Sequence, residues 1–482
     1  MSAAPAAPGD WEPVIGLEVH CELRTATKLF CGCRNAFGDE PNTNICPVCL
    51  GLPGSLPVLN AVAVEFAMRI GTALRCDIRP SLFHRKNYFY PDMPKDYQIS
   101  QFDEPINANG WLELPDGTRV GVERAHMEED TGKTTHVGGG GRIHDARHSL
   151  VDYNRAGVPL VEIVSRPDIR SAAQARLYAE ELRGILVATG ASDGRMEEGS
   201  LRVDANVSVR RPDAEFGTRC EIKNLNSLRS LVRAIEYEIG RQIEVLESGG
   251  TVLQQTRHWD EDRGETGALR SKEEAFDYRY FPEPDLVRLD PDAGWRADVA
   301  AAVGPMPADR RAAVAALLGA DGSSGSRHDQ IATVVENGLD GLMTAVVEAG
   351  IGAPLALART ANEASADPQR ARALDPDTYA ALLRMEQDGT LSATQTKELL
   401  GELLERGGDP AELARRHGYQ ALAADSLVEV VDEIVAAHPE EWARYGDGDD
   451  KLTGFFTGLV MKATQGKANG KAVAAELRRR RG

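Results

Sequence analysis

The sequence is short of positive charge, of lysine over one long interval, and of uninterrupted apolar runs. Across 482 residues, 55 Lys plus Arg face 74 Asp plus Glu, a formal charge of −19. That balance excludes a protein that coats nucleic acid or anionic membrane by bulk attraction. No lysine occurs between Lys272 and Lys397. The longest charge-free stretch, 41–64, is interrupted by Pro47, Gly51, Pro53, Gly54 and Pro57, so it reads as a loop leading into a helix and no membrane association is expected. The opening MSAAPAAPGDWEP shows no basic segment followed by an apolar one, and a cytoplasmic protein is expected. Cysteine is scarce: the seven include four bunched between positions 31 and 49, which fits a metal site in a reducing compartment better than a disulfide framework.

Two catalytic signatures are missing as well. DTGKTT at 130–135 ends like a phosphate loop, but that pattern requires glycine where Met127 stands. GSSGS at 322–326 echoes the serine-rich strip of amidases, yet its nearest upstream lysine is the distant Lys272, and it reads as a linker.

What is present is a chain of about three domains at about 150 residues each, with an ordinary 42% hydrophobic content. The first part alternates with period two: Leu201, Val203, Ala205, Val207 and Val209 share one face, Arg202, Asp204, Asn206, Ser208 and Arg210 the other. Amphipathic helices are expected from a Ser171 cap to Gly190 and from the Asn226/Ser227 cap to Gly249. After FPEPDLVRL at 281–289 strand signals fade. The expected fold class is α+β, a mixed-sheet cradle domain over 1–295, an all-helical domain over 296–409, and a small helical tail over 410–482. The tail reverses the overall charge: Lys451, Lys462, Lys467, Lys471 and Arg478 to Arg481 oppose Glu476 alone after position 450.

VIGLEVHCEL places Glu18, His20 and Glu22 opposite the apolar Leu17, Val19 and Cys21. A solvated strand face and a divalent-metal or phosphate-transfer site both fit this pattern. Glu128, Glu129 and Asp130 cluster at a strand end, and Glu162 interrupts the apolar run VPLVEIVS, where a lone acid is costly unless paired or metal-bound. Cys31, Cys33, Cys46 and Cys49 form C-x-C and C-x-x-C pairs that could close a tetrahedron around Zn2+, against the alternative of buried thiols. Cys21, Cys76 and Cys220 read as core residues. Arg85, Lys86 and Lys95 lie among Tyr88, Phe89, Tyr90 and Tyr97, a mixture that serves loop packing or phosphate and base binding.

Several long motifs, VIGLEVHCEL, RKNYFYPD, DYQIS, HMEEDTGK, MEEGSLRVDANVSV, EIKNLNS and DYRYFPEPD, run in order from 14 to 285 and resemble the B subunit of the tRNA-dependent amidotransferases (GatB). GFFTGLVMKATQGKANGKAV near the end resembles the small helical domain shared with YqeY-type proteins. The resemblance implies a ligase that uses ATP and Mg2+ to phosphorylate the side-chain carboxylate of Glu-tRNA(Gln) or Asp-tRNA(Asn) and then amidates it. It implies that Glu18, His20, Glu129 and Glu162 hold Mg2+, with Glu128 adjacent. His20, Glu129, Glu162, Lys86 and Lys95 would be the catalytic residues, and Arg85 would join the nucleotide site. It also implies a heterotrimer with a glutaminase A subunit that supplies ammonia and a small C subunit, a tail that grips the tRNA, and structural Zn2+, since the four cysteines are replaced in some members. The connector at 354–367 is less like the family pattern. A scaffold that binds tRNA without catalysing, and a free-standing zinc protein, are the rival readings.

Overall fold

The computed structural model describes residues 11–138, 146–268, 278–319, 325–419, 424–464, 468 and 470–481. The chain divides into two compact units, 1–308 and 309–482.

The first unit is built on strands β1 (Glu12–Glu22), β2 (Asp77–Ile78), β3 (Phe83–Asn87), β4 (Tyr97–Gln101), β5 (Asn107–Glu113), β6 (Arg119–Glu129), β7 (Lys133–Val137), β8 (His148–Asp152), β9 (Pro159–Ser165), β10 (Leu201–Arg210), β11 (Cys220–Leu225), β12 (Gln255–Asp260), β13 (Glu265–Ala268) and β14 (Phe281–Pro282). Twelve of them form one sheet in the order β13-β12-β11-β10-β1-β9-β6-β4-β3-β14, with β5 on β6 and β2 on β5, while β7 and β8 pair separately. Every pairing is antiparallel except β11 with β12, so the sheet is mixed, as the sequence pattern leads one to expect.

Period-two alternation decides which side of this sheet is dry. Ile15, Leu17, Val19 and Cys21 of β1 and Leu201, Val203, Ala205, Val207 and Val209 of β10 are all buried. Helices α1 (Ala61–Ala73), α2 (Ala172–Ala188), α3 (Leu228–Glu247) and α4 (Ala293–Ala302) supply the rest of that core through residues such as Met68, Tyr178, Leu182, Ile235 and Val299. Each of the first three begins where its cap allows: Asn60 accepts from the Val62 N–H, Ser171 from Gln174 and Ser227 from Ser230. α2 and α3 stop just before Gly190 and Gly249, whose φ values of +72° and +81° an L side chain resists. Cys21 and Cys220 are buried, whereas Cys76 is half-buried.

The proline-spaced segment after 280 is not yet the end of the unit. β14 adds an edge strand to β3, and Val299 and Met306 still pack into the first core. The remaining helices are α5 (Pro307–Leu318), α6 (Gly325–Glu336), α7 (Asp340–Glu348), α8 (Ala353–Asn362), α9 (Pro368–Arg372), α10 (Pro376–Gln387), α11 (Ala393–Arg406), α12 (Pro410–Arg416), α13 (Ala424–Ala437), α14 (Pro439–Gly446), α15 (Leu452–Ala463) and α16 (Gly470–Arg481). They make two cores. One joins α5 to α12, so Leu413 and Ala414 pack with Leu399, Leu400 and Leu403. The other gathers Val431, Tyr445, Phe456, Val460, Val473 and Leu477. Residues 322–324 of the expected linker lie outside the described residues, and its last two, Gly325 and Ser326, begin α6. Among the described residues no helix is long and apolar enough to cross a membrane.

Leu17 sits at the centre of the sheet with no exposure. Leu17→Ala is expected to destabilise the first unit by about 2–5 kcal/mol, read as a lower urea midpoint at unchanged slope. A loss under about 1 kcal/mol would mean that this position collapses around the cavity.

Candidate functional site

Strand register assembles the polar face. His20 pairs with Arg202 of β10 on one side and Glu162 of β9 on the other, and Glu162 in turn pairs with His126 of β6. Directly opposed residues point to the same side of a sheet, so Arg202, His20, Glu162 and His126 stand in a row across four strands. Glu128, two positions along β6, shares that side and pairs with Ser100 of β4.

The row is in contact. His20 Nε2 and His126 Nε2 each lie 3.5 Å from Glu162 Oε2, and His126 Nε2 lies 3.9 Å from Glu128 Oε2. Ser100 Oγ donates to Glu128 Oε2 at 3.2 Å, and Asn206 Nδ2 donates to Glu18 Oε1 at 2.9 Å. One possible ligand atom from each of His20, Glu128 and Glu162 falls within 4.8 Å of the other two. Two carboxylates and one imidazole at that spacing fit a single divalent cation, with carboxylate oxygen the donor that Mg2+ prefers.

Burial opposes charge at every one of these groups; at some the neighbours outweigh it and at others it prevails. At His20 burial is outweighed by the hydrogen bond to Glu162 and the fields of Glu162, Glu128 and Asp204, which raise the pKa to about 8. Glu162 is likewise driven below the usual carboxylate range, against its burial, by His126, His20 and Lys86. His126 goes the other way, and burial lowers it. Burial and the nearby Glu162 raise Glu18. Lys86 is also raised despite burial, mainly by Glu128, and its Nζ stands 4.9 Å from the Tyr278 ring centre.

Other expected residues go elsewhere. Glu129 follows Glu128 and so turns off the row: its carboxylate pairs with Lys95 and accepts from the Ile99 N–H at 2.9 Å. The geometry thus sets Glu128, and not Glu129, beside His20 and Glu162. Arg85 points away from Lys86, because neighbours on β3 alternate. It grips the buried Glu283 through two hydrogen bonds of 2.7 and 2.8 Å, reaches Asp285 at 3.3 Å and stacks on Tyr97 with a 4.2 Å separation. It ties the β14 segment to the sheet edge.

Cys31, Cys33, Cys46 and Cys49 meet, each offering a sulfur within 4.8 Å of the others. Cys46 and Cys49 Sγ are 3.9 Å apart. Four Zn–S bonds of about 2.3 Å in a tetrahedron place sulfurs about 3.8 Å apart, so the set fits Zn2+. The hydrogen bond from Cys31 and the charge of Lys28 help bring Cys49 down to about 5. Lys28 is fully buried and donates to the Tyr153 carbonyl at 3.3 Å. A buried ammonium requires an anion nearby, and cysteine thiolates provide it.

His126 was legible in RAHMEED as the residue two before Glu128, on the same face of a strand. Ser100 closes the DYQIS motif and Tyr278 lies in DYRYFPEPD, but neither motif says locally that its residue meets Glu128 or Lys86.

At the end of β1, Arg202 and Arg155 reach Asp130 Oδ2 at 2.6 and 3.6 Å. They outweigh burial and lower Asp130, while burial and the Asp130 charge push Glu22 up to about 8. A raised carboxyl favours the fold when protonated: its contribution is full below the ordinary 4.5 and is lost as pH climbs to about 8. Glu22→Gln should therefore leave Tm unchanged near pH 4.5 and raise it progressively toward pH 8, checked by calorimetry across that range. A gain independent of pH would contradict the raised Glu22 carboxyl.

Residues 13–297 match the family model described as the GatB/GatE catalytic domain, and residues 355–480 match one described as the GatB domain. The B subunit of the aspartyl/glutamyl-tRNA(Asn/Gln) amidotransferase of Frankia casuarinae is 48% identical, over 98% of this chain and 96% of its own. The B subunits of the same enzyme from Acaryochloris marina and Moorella thermoacetica are 44% and 46% identical, each over 98% of this chain and 98% and 100% of their own. With both domain models and nearly the whole length matched, this chain belongs to the family of aspartyl/glutamyl-tRNA(Asn/Gln) amidotransferase B subunits.

Proposed function

We propose that this chain is the component that activates and amidates the misplaced amino acid of Glu-tRNA(Gln) or Asp-tRNA(Asn). The observation that carries the reading is the convergence of His20, Glu128 and Glu162 on the polar face of the sheet. A carboxylate is a poor electrophile toward ammonia. ATP converts it to an acyl phosphate, and ammonia then displaces phosphate to leave the amide of Gln-tRNA(Gln) or Asn-tRNA(Asn). Phosphoryl transfer asks mainly for positioning and charge neutralisation.

Glu128, Glu162 and His20 would hold Mg2+, with Glu18 beside them, and the ion would offset phosphate charge. Lys86, charged and facing Glu128 and Glu162, is suited to the transferring phosphoryl group. Arg85 orders the β14 segment at the rim. The Lys95–Glu129 pair is assigned to the amine side of the reaction. Ammonia comes from a partner glutaminase A subunit, with a small C subunit completing a heterotrimer. The sheet-bearing body is the transamidating part, and the helical parts after it hold the tRNA.

The tail tightens this last assignment. Arg479 and Arg480 pair with Glu476 at 2.7 Å, Arg480 also with Asp432, and Arg481 with Asp450. Lys451, Lys462 and Arg478 remain exposed, Lys467 lies outside the described residues, and the Lys471 side chain is not described. The exposed three are the cations assigned to phosphate.

In the reconstituted complex with misacylated tRNA, ATP and ammonia, Glu162→Gln and Glu128→Gln are each expected to lower amidation about 100-fold or more with tRNA affinity kept. Full activity in both would refute the site, and Glu129→Gln assayed beside them separates the two carboxylates. Changing Lys451, Lys462 and Arg478 to Glu should weaken tRNA binding and flatten its salt dependence by about one unit of slope per lost phosphate contact. Unchanged binding would remove the tail from the interface. Truncation at 450 is a poorer test, because it deletes Phe456, Val460, Val473 and Leu477 from the third core.

A further inference from the structure

The segment carrying Cys46 and Cys49 forms one tight turn over 46–52. The Leu50 N–H donates to the Cys46 carbonyl at 3.1 Å, Gly51 to Val48 at 3.0 Å and Leu52 to Pro47 at 2.9 Å. Gly51 stands two residues beyond Cys49 with φ +65°, and a Cβ built there would fall 2.4 Å from Lys95 Cγ and 3.1 Å from Lys95 Cα. The turn therefore lies against the stem of Lys95, whose ammonium is buried and paired with Glu129. A second contact runs through Gly157, where a Cβ would stand 3.5 Å from Cys49 Cβ, 3.6 Å from Lys28 Cδ and 3.8 Å from Glu129 Oε2. The cysteine turn thus touches the lysine directly and faces the carboxylate across a glycine gap. Gly38 and Gly54 share the same loop and the same left-handed backbone, φ +86° and +85°, but a Cβ on either meets nothing within 4 Å. What sets Gly51 apart is the contact with Lys95.

We infer that the four-cysteine turn is a metal-dependent clamp: zinc on Cys31, Cys33, Cys46 and Cys49 fixes the turn, and the turn holds Lys95 against Glu129 through Gly51. The need for a clamp is physical. A lysine side chain has about 2 kcal/mol of rotamer entropy to lose and a strongly hydrated head, so a buried, aligned ammonium must be confined by what packs on its stem. Gly51 is a positioning residue that acts through Lys95. The inference rests on the reading above only where it gives Lys95 a part in the amine step.

The test uses the complete complex in four forms: zinc-loaded, stripped by a chelator, Gly51→Ala, and Gly54→Ala as the control, which also has a left-handed backbone but open space around its Cβ. Lys95 reactivity toward an amine-specific ester is followed by peptide mass spectrometry, with zinc content measured on the same samples. Lys95 should label about tenfold faster in the stripped complex and in Gly51→Ala, which keeps its zinc, because local opening governs access to a buried amine. Gly54→Ala should match the zinc-loaded form. Native labelling rates in both the stripped complex and Gly51→Ala would overturn the clamp, and so would an equal increase in Gly54→Ala. The KM for ammonia and for ATP in Gly51→Ala separates the two readings. A rise for ammonia alone supports both, whereas faster labelling with neither KM changed upholds the clamp and overturns the amine assignment of Lys95.

Discussion

A carboxylate in the middle of a twelve-stranded sheet must be neutralised, and the rest of the polar face is arranged around how Glu162 meets that demand. Two imidazoles approach the same oxygen from adjacent strands at 3.5 Å. Burial lowers one of them, His126, while at the other, His20, the hydrogen bond to Glu162 and the nearby acids outweigh burial and raise it. The surplus negative charge of Glu128 is met by Lys86 from the sheet edge. The result is a row in which buried acids and bases lie within reach of one another.

A second buried ion pair, Lys95 with Glu129, lies off that row because consecutive residues on β6 face opposite sides. Its surroundings differ accordingly. The row is held by strand register, whereas Lys95 is held by a loop, and a loop has little rigidity of its own. Four thiolates around a metal would be a compact way to supply it. The fully buried Lys28 at Cys49 shows the same economy, since it places a cation where a tetrathiolate would leave excess negative charge.

The tail illustrates how charge read along a chain differs from charge available at a surface. Four consecutive arginines close α16, and three of them turn back onto Glu476, Asp432 and Asp450. Paired arginines still stiffen the small core around Tyr445 and Phe456, but a phosphate must compete with carboxylates for them. Among the described residues after position 450, the exposed cations that remain are Lys451 and Lys462 at the two ends of α15 and Arg478 on α16.

The sequence by itself determined the dry side of the sheet, the helix boundaries at Ser171, Ser227, Gly190 and Gly249, and the cysteine quartet, because alternation, capping and ligand spacing are local properties. The family, too, was legible, from long motifs such as VIGLEVHCEL and HMEEDTGK. Only the tertiary structure decided which acid stands where. Glu128 and Glu129 are equal in composition and separated by one peptide bond, yet pairing with β4 and β9 sends one to the histidines and the other to Lys95. The same holds for Arg85 and Lys86, split by the pleat between Glu283 and Glu128, and for Gly51, whose contact with Lys95 bridges two loops. Local sequence specifies which face a residue takes, but the partner it meets there is set by strand order and chain crossing, which no short stretch encodes.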